Sequence, residues 1–436
     1  MGIPILLLGQ GVGRAKQARK RKMILLSHPF GNAFSRALLT SLQEAGKLES
    51  FHTSLSFPDN GWLITAVPGT LRRQLRRRTY NVPGSKIVSY PFLEAVRLTT
   101  QKLGLAALTA QDSGWASFDA VSRNQDQAVA RYVLRKKSSL TGVYCYEDAA
   151  YHTFQAAKEC GLKCYYELPI AYCDTVQKLL RQEAERLPEW SGTLGAIEDS
   201  VEKLSRKAEE LRLADLVICP SRFVYDSLPE SIRAGKECIV SEFGSPPVKD
   251  AERKASAKAD LPLRVLFAGA MTQRKGLADL FAAMKRLEGS DIELVVMGSP
   301  IEKIDFYRSQ FPSFIHEPPR PHKEVLTLMK SCDLLVLPSI VEGRALVQQE
   351  AMMCGLPIIV TRNAGGEDLV EEGKTGFLVP IRSPEAIAEK ISWIASNRDC
   401  LSELSSAARQ KAAEVTWENY CRKILDAITR LSSGNA

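Results

Sequence analysis

The chain has 436 residues with 45% apolar and 25% charged side chains, which fits two soluble α/β-sized domains and exceeds what one ordinary core holds. It contains no apolar run near the ~20 residues that a membrane-spanning helix needs. Its net charge of +8 is concentrated early: residues 1–100 hold 15 Lys and Arg against 4 Asp and Glu.

The opening run Ile3 to Leu8 is short, and its cations follow it, which is the wrong order for a secretory leader. Gly9-Gln10-Gly11-Val12-Gly13 resembles a dinucleotide fingerprint, but Arg14 stands where a third spacing glycine would be needed. Too few residues then separate it from the strand at Met23 for a crossover helix, so residues 1–22 are expected to be a disordered tail outside the fold. The ten cysteines lack paired CxxC spacing, which fits reduced thiols and a cytoplasmic setting.

From Met23 the pattern alternates strand, loop and helix. The strand Met23–Ser27 leads through His28-Pro29-Phe30-Gly31-Asn32 into an amphipathic helix of about 33–45, with Gly46 at its end. Gly31 and Asn32 would meet the phosphate of a bound ligand there, or Asn32 would simply start the helix. Residues 60–110 are basic and irregular, with Arg72, Arg73, Arg76, Arg77 and Arg78 in one cluster. That charge suits a solvated face, an anionic membrane surface or an anionic acceptor; no motif argues for nucleic acid. Val143–Tyr146, Lys163–Tyr166 and Leu216–Cys219 read as buried strands, with a long helical stretch over 171–213 broken near Pro188 or Gly192.

These elements predict an N-terminal Rossmann-like domain over 23–245 and a linker at 246–261, where Pro246-Pro247 begins a Lys- and Ala-rich run. A second Rossmann-like domain is expected over 262–415, with strands at 264–268, 292–297, 334–337 and 358–360, and a last helix over 416–436. Two parallel-sheet domains of this kind face each other across a cleft, and ligands bind at the strand ends that line it.

The segment Leu337 to Pro357 carries the chemistry. A strand ends at Pro338-Ser339, a turn follows, and a helix is expected to begin near Arg344 and stop at Cys354-Gly355. The amides of Gly343, Arg344, Ala345 and Leu346 would open that helix and, with its dipole, form a diphosphate site. Glu342 and Glu350 flank it, separated by about 12 Å at 1.5 Å rise per residue.

This segment resembles the E-x7-E motif of glycosyltransferase family 4, the group 1 retaining enzymes of GT-B fold, and ends like that family in Glu350-Ala351…Gly355…Pro357. Phe267 to Gly276 resembles the family's strand and glycine turn, where an Arg and a Lys neutralise the leaving diphosphate. Lys275 falls on the lysine; Ala270 falls on the arginine, leaving Arg274 and Arg344 as candidate substitutes. Asn363 to Glu367, Gly373 to Pro380, the Trp417 helix, Ser221-Arg222-Phe223 and Phe243-Gly244 match further landmarks.

The resemblance implies a retaining hexosyl-type transferase, active in polysaccharide biosynthesis, that takes a nucleotide diphosphate sugar as substrate and uses no cofactor. In it Glu342 would hold the donor sugar, Glu350 the ribose, Lys275 and Arg274 the diphosphate, and Gly365 and Gly366 would let backbone approach the sugar. The family histidine near the transferred sugar aligns with Glu167; Glu147-Asp148 and His28 are the alternatives, and His152 reads as a helix-surface residue. No D-x-D or metal-ligand spacing occurs, so no metal is expected. The acceptor, lipid-linked, glycan or small, is not specified. Ala270 keeps open a binding protein with impaired catalysis, and the architecture is shared by nucleotide-sugar epimerases and hydrolases.

Overall fold

The computed structural model describes residues 23–58, 75–110, 114–195, 199–245 and 261–433. The expected tail, linker residues 246–260, Arg72 and Arg73 lie outside them.

The N-terminal half is a seven-stranded parallel sheet. Its strands are β1 (Ile24–Ser27), β2 (Leu48–Thr53), β3 (Ile87–Ser89), β4 (Gly142–Tyr146), β5 (Lys163–Glu167), β6 (Leu216–Cys219) and β7 (Glu237–Val240), in the order β3-β2-β1-β4-β5-β6-β7. The C-terminal half is a six-stranded parallel sheet of β8 (Leu263–Ala268), β9 (Ile292–Met297), β10 (Phe314–Glu317), β11 (Leu334–Leu337), β12 (Ile358–Thr361) and β13 (Gly376–Val379), in the order β10-β9-β8-β11-β12-β13. Helices cover both faces, so central strands are buried on two sides and read as continuous apolar runs; Leu334 to Leu337 are fully buried.

Each sheet reverses its strand order beside its first strand, between β1 and β4 and between β8 and β11. Crossovers leave on opposite faces at such a point and open a crevice at the carboxyl ends of the strands. The two crevices face each other, and the fold is α/β with two Rossmann-like domains.

The helices that matter for the site are α1 (Ala33–Glu44), α2 (Pro91–Lys102), α3 (Phe118–Lys136), α4 (Cys173–Arg186), α5 (Val201–Leu213), α6 (Leu346–Met353) and α7 (Trp417–Ser433). Two segments tie the halves together. After α4, the 3₁₀ turn Pro188–Thr193 leaves the N-terminal sheet, and Trp190 is buried in the C-terminal core against Phe281, Phe306 and Tyr307. At the other end α7 crosses back: Tyr420, Ile424 and Ile428 are buried with Leu38, Leu42 and Phe51 of the N-terminal half. The cut between domains in sequence therefore does not coincide with the cut between cores.

Candidate functional site: the facing strand ends

Glycines shape the C-terminal wall. The turn after β8 closes with Gly276 at φ 76°, where a Cβ would lie 2.1 Å from the Pro338 carbonyl oxygen, so only glycine lets this turn rest on the end of β11. The Ile340 amide then donates to the Arg274 carbonyl at 2.8 Å. On the other side Asn363 Nδ2 donates to the Ile340 carbonyl and the Glu342 amide donates to the Asn363 carbonyl. The loop carrying Glu342 is thus clamped between the β8 and β12 turns.

That clamp gathers three charges. Lys275 Nζ lies 2.6 Å from Glu342 Oε1, and Arg274 Nη1 lies 3.4 Å from the same oxygen. Burial opposes ionisation of Glu342, but Lys275 and then Arg274 outweigh it and hold the carboxyl below its ordinary range. The Lys275 stem runs across Gly269, whose Cβ would meet it at 2.9 Å. Two cations on one carboxylate leave a net positive spot at the strand ends.

Helix α6 begins at Leu346, two residues beyond Arg344, so of the two glutamates only Glu350 is helical and the 12 Å axial estimate does not apply. Ala345 is its N-cap and supplies no side-chain cap. The Ala345 amide is already taken by the Ala364 carbonyl at 3.3 Å. Among the described residues no acceptor is recorded for the amides of Leu346 and Val347. Leu346 itself packs against the N-terminal cluster containing Phe243, so this helix start abuts the N-terminal half. Glu350 Oε1 lies 3.1 Å from Nε2 of His322, a partner that sequence reading did not single out. Burial raises the Glu350 carboxyl despite His322.

Several expectations are revised. Arg344 does not reach the Lys275 cluster: its side chain is wholly buried, paired with Asp368 and bonded to Gln349 Oε1. Gly343 is pressed against the other half, where a Cβ would stand 1.7 Å from the Pro169 carbonyl oxygen, and its own carbonyl accepts from Ser221 Oγ at 2.6 Å. The spaces beside Gly365 and Gly366 are filled by protein: by Gly343 O and Ser221 for one, by Val360 and Gln348 for the other. Packing accounts for both glycines.

On the N-terminal wall, Asn32 caps α1 through a reciprocal box with Ser35, so the helix-start role is the one observed. Gly31 has φ 59°, and the Tyr80 hydroxyl occupies its open side. Glu167 is removed from the site. It is fully buried, accepts from the hydroxyls of Tyr144 at 2.6 Å and Tyr420 at 2.7 Å, and is pushed up to about 7 by burial. Its partner Tyr420 comes from α7, which local sequence cannot reveal.

The alternatives to Glu167 come together instead. His28, Glu147 and Asp148 line a cavity of about 550 Å³ at the ends of β1 and β4, with Tyr146, Phe118, Thr109, Asp119 and Lys203 around them. His28 Nδ1 accepts from the Phe30 and Gly31 amides, and burial drives the ring down to about 3, so it is neutral. Burial raises Glu147 to about 7, with Lys207 3.7 Å away opposing the shift. His152 lies outside this lining; its amide donates to Asp126. Among the described residues no group of three His, Cys, Asp or Glu is placed to hold a metal ion.

Residues 248–411 match the family described as "Glycosyl transferases group 1". A D-inositol 3-phosphate glycosyltransferase of Corynebacterium urealyticum is 33% identical over 108 residues, 25% of this chain and 26% of that protein. The curated relatives matched first are covered over 26% to 60% of their own length. The fold superposes on sucrose-phosphate synthase of Thermosynechococcus elongatus with a TM-score of 0.63 at 18% identity, covering 95% of this chain and 100% of the other. It superposes on HepE of Anabaena, solved with UDP-glucose, with a TM-score of 0.58 at 16% identity, covering 94% and 99%. The chain has the GT-B glycosyltransferase fold, and its residues 248–411 match the group 1 glycosyltransferase family.

Proposed function

We propose that this protein is a retaining, metal-independent glycosyltransferase of the family 4 type, transferring a hexosyl group from a nucleotide diphosphate sugar to an acceptor bound at the N-terminal wall. The observation that carries the reading is the cluster Arg274, Lys275 and Glu342 at the β8–β11 crevice, within the region matching the group 1 family.

The cluster suits a diphosphate on chemical grounds. A phosphate oxygen entering beside Lys275 takes over its ammonium, and Glu342 is freed to accept hydrogen bonds from sugar hydroxyls. Lys275 and Arg274 then stabilise the charge that grows as the bond from the anomeric carbon to the phosphate oxygen breaks. The bonding pair leaves on the diphosphate, and the acceptor hydroxyl forms the new bond on the same face while its proton passes to the departing oxygen. The uncapped start of α6 adds amide donors. Glu350, four residues into α6, is assigned to the ribose. His28, Glu147 and Asp148 replace Glu167 as the groups assigned to the transferred sugar and the acceptor. The solved HepE complexes with UDP and UDP-glucose support a nucleotide sugar as the donor class.

A thermal-shift screen of nucleoside diphosphates and their sugars tests the donor site, followed by transfer assays with and without EDTA. A shift by one such nucleotide and EDTA-insensitive transfer are expected; no shift with any of them removes the reading. A second reading, a binding protein with impaired catalysis, is favoured by Ala270 at the arginine position together with Arg344 locked onto Asp368. Nucleotide binding without transfer to any acceptor class would select it.

A further inference from the structure

Twelve large hydrophobic side chains are exposed among the described residues, and six of them fall between residues 92 and 118: Phe92, Leu103, Leu105, Leu108, Trp115 and Phe118. Isolated exposed apolar residues are ordinary, but a contiguous group signals an interaction surface. This group is contiguous. Phe92 at the start of α2 meets Trp115 with ring centroids 6.2 Å apart. The Leu108 amide donates to the Leu105 carbonyl and the Ala116 amide to the Leu108 carbonyl, which sets Trp115 close to Leu108.

The charge around it is mainly positive. Residues 75–118 contain six Lys and Arg against two acids, Glu94 and Asp112, and Asp119 beyond Phe118 is paired with Arg123 and Arg206. Glu94 is fully buried between Arg78 and Arg97, so it presents no charge outward. The Arg78–Glu94 pair sets residues 76–78 beside the first turn of α2, where Arg76 and Arg77 are exposed, as is Lys102 at its far end.

We propose that this face docks on an anionic lipid bilayer, with Leu103, Leu105, Leu108 and Trp115 entering the headgroup layer and Arg76, Arg77 and Lys102 lying against the lipid charges. Apolar side chains flanked by cations, with a tryptophan among them, match the chemistry of an interfacial anchor. No described helix is long and apolar enough to span a bilayer, so the contact is peripheral. A second copy of this chain fits less well, because a two-fold interface sets like patches together and would face these cations toward one another. The same face reaches the N-terminal cavity: Thr109 and Phe118 contribute to its lining. Docking therefore brings the cavity mouth to the lipid surface and makes a lipid-linked molecule the acceptor class; that last step rests on the glycosyl-transfer reading, whereas docking does not.

The test uses the full chain and sedimentation with phosphatidylcholine vesicles, with and without phosphatidylglycerol. Binding is expected only with phosphatidylglycerol, weakening about fivefold in Lys102→Gln and at least about tenfold in the triple variant Leu103→Ser, Leu105→Ser, Leu108→Ser. Brominated lipid should quench tryptophan emission in the parent and markedly less in Trp115→Phe. Absence of vesicle binding, equal binding by the triple variant, or loss of a dimer in that variant would each overturn docking. Nucleotide thermal shifts on the same samples read the donor site separately, so failure of one inference is distinguishable from failure of the other.

Discussion

Lys275→Ala is the sharpest probe of the proposed donor site. In the structure Lys275 Nζ sits 2.6 Å from Glu342 Oε1, and Arg274 reaches the same oxygen at 3.4 Å. Removing the lysine leaves a mostly buried carboxylate with one longer-range partner. Breaking a fully buried pair costs about 3–5 kcal/mol, but Glu342 keeps 13% exposure and one cation, so about 1–3 kcal/mol is expected. The Glu342 carboxyl, now held low by Lys275, should rise. Its sign is fixed: a depressed carboxyl stabilises the fold above its unfolded value and loses that contribution as pH falls through the folded value. The parent should therefore lose melting temperature on acidification that the variant has already lost. Nucleotide binding adds an independent measure. A charged hydrogen bond to phosphate contributes about 1.5–3 kcal/mol, or roughly 10- to 150-fold in affinity, less what Lys275 gives up on leaving Glu342. Calorimetric titration with the best nucleoside diphosphate, repeated in Glu342→Gln and the double variant, separates these contributions. An affinity in Lys275→Ala within twofold of the parent would refute the placement of the diphosphate.

Glu350→Ala should abolish transfer and weaken nucleotide binding about tenfold or more while the melting curve survives; parent-like turnover would remove its assignment. In Gly343→Ala the new Cβ would meet the backbone of Pro169 at 1.7 Å, so the halves must separate; a cost of about 1–3 kcal/mol and a lower melting temperature are expected. Gly84→Ala, with open space around it, is the control, and equal melting of the two variants would contradict the contact. Glu167 is raised to about 7, so its neutral form is favoured in the fold and stability falls as pH climbs from its unfolded value toward 7. Glu167→Gln should be less sensitive between pH 5.5 and 8, by up to about 2 kcal/mol at 1.36 kcal/mol per unit; parallel melting profiles for parent and variant would show the carboxyl to be ionised throughout.

What sequence revealed follows from where each residue finds its partners. Strands such as Leu334–Leu337 and Ile358–Thr361 are buried on both faces and announce themselves as apolar runs. Strand β2, Leu48–Thr53, passed unnoticed because its buried positions include Ser50, His52 and Thr53, made soluble in the core by bonds to one another and to Tyr90 and Pro29. Strands β3, β7, β10 and β13 lie at sheet edges, where partial exposure and short length blur the pattern. The glutamate spacing in Glu342 to Glu350 and the lysine in the β8 turn are local patterns, and both were visible. Burial of Arg344 by Asp368 and of Glu167 by Tyr420 depends on residues 24 and 253 positions away, and no local pattern carries that information.

The structure also explains how one half can govern chemistry assigned to the other. Glu183 on α4 is fully buried and accepts from Gln273 Nε2 at 2.8 Å, from Arg186 at 2.7 Å and from Arg382. Arg186 continues the web to Asp279 of the C-terminal half. The Gln273 amide, in turn, donates to Thr193 Oγ1 of the strap that carries Trp190. Gln273 immediately precedes Arg274 and Lys275, so the turn presenting both cations is fixed from the N-terminal half as well as from β8. A packed, fully bonded buried network of this kind has few alternative arrangements. Movement of α4 or its strap therefore reaches the position of Lys275 directly, and the two halves act on the proposed donor site as one framework.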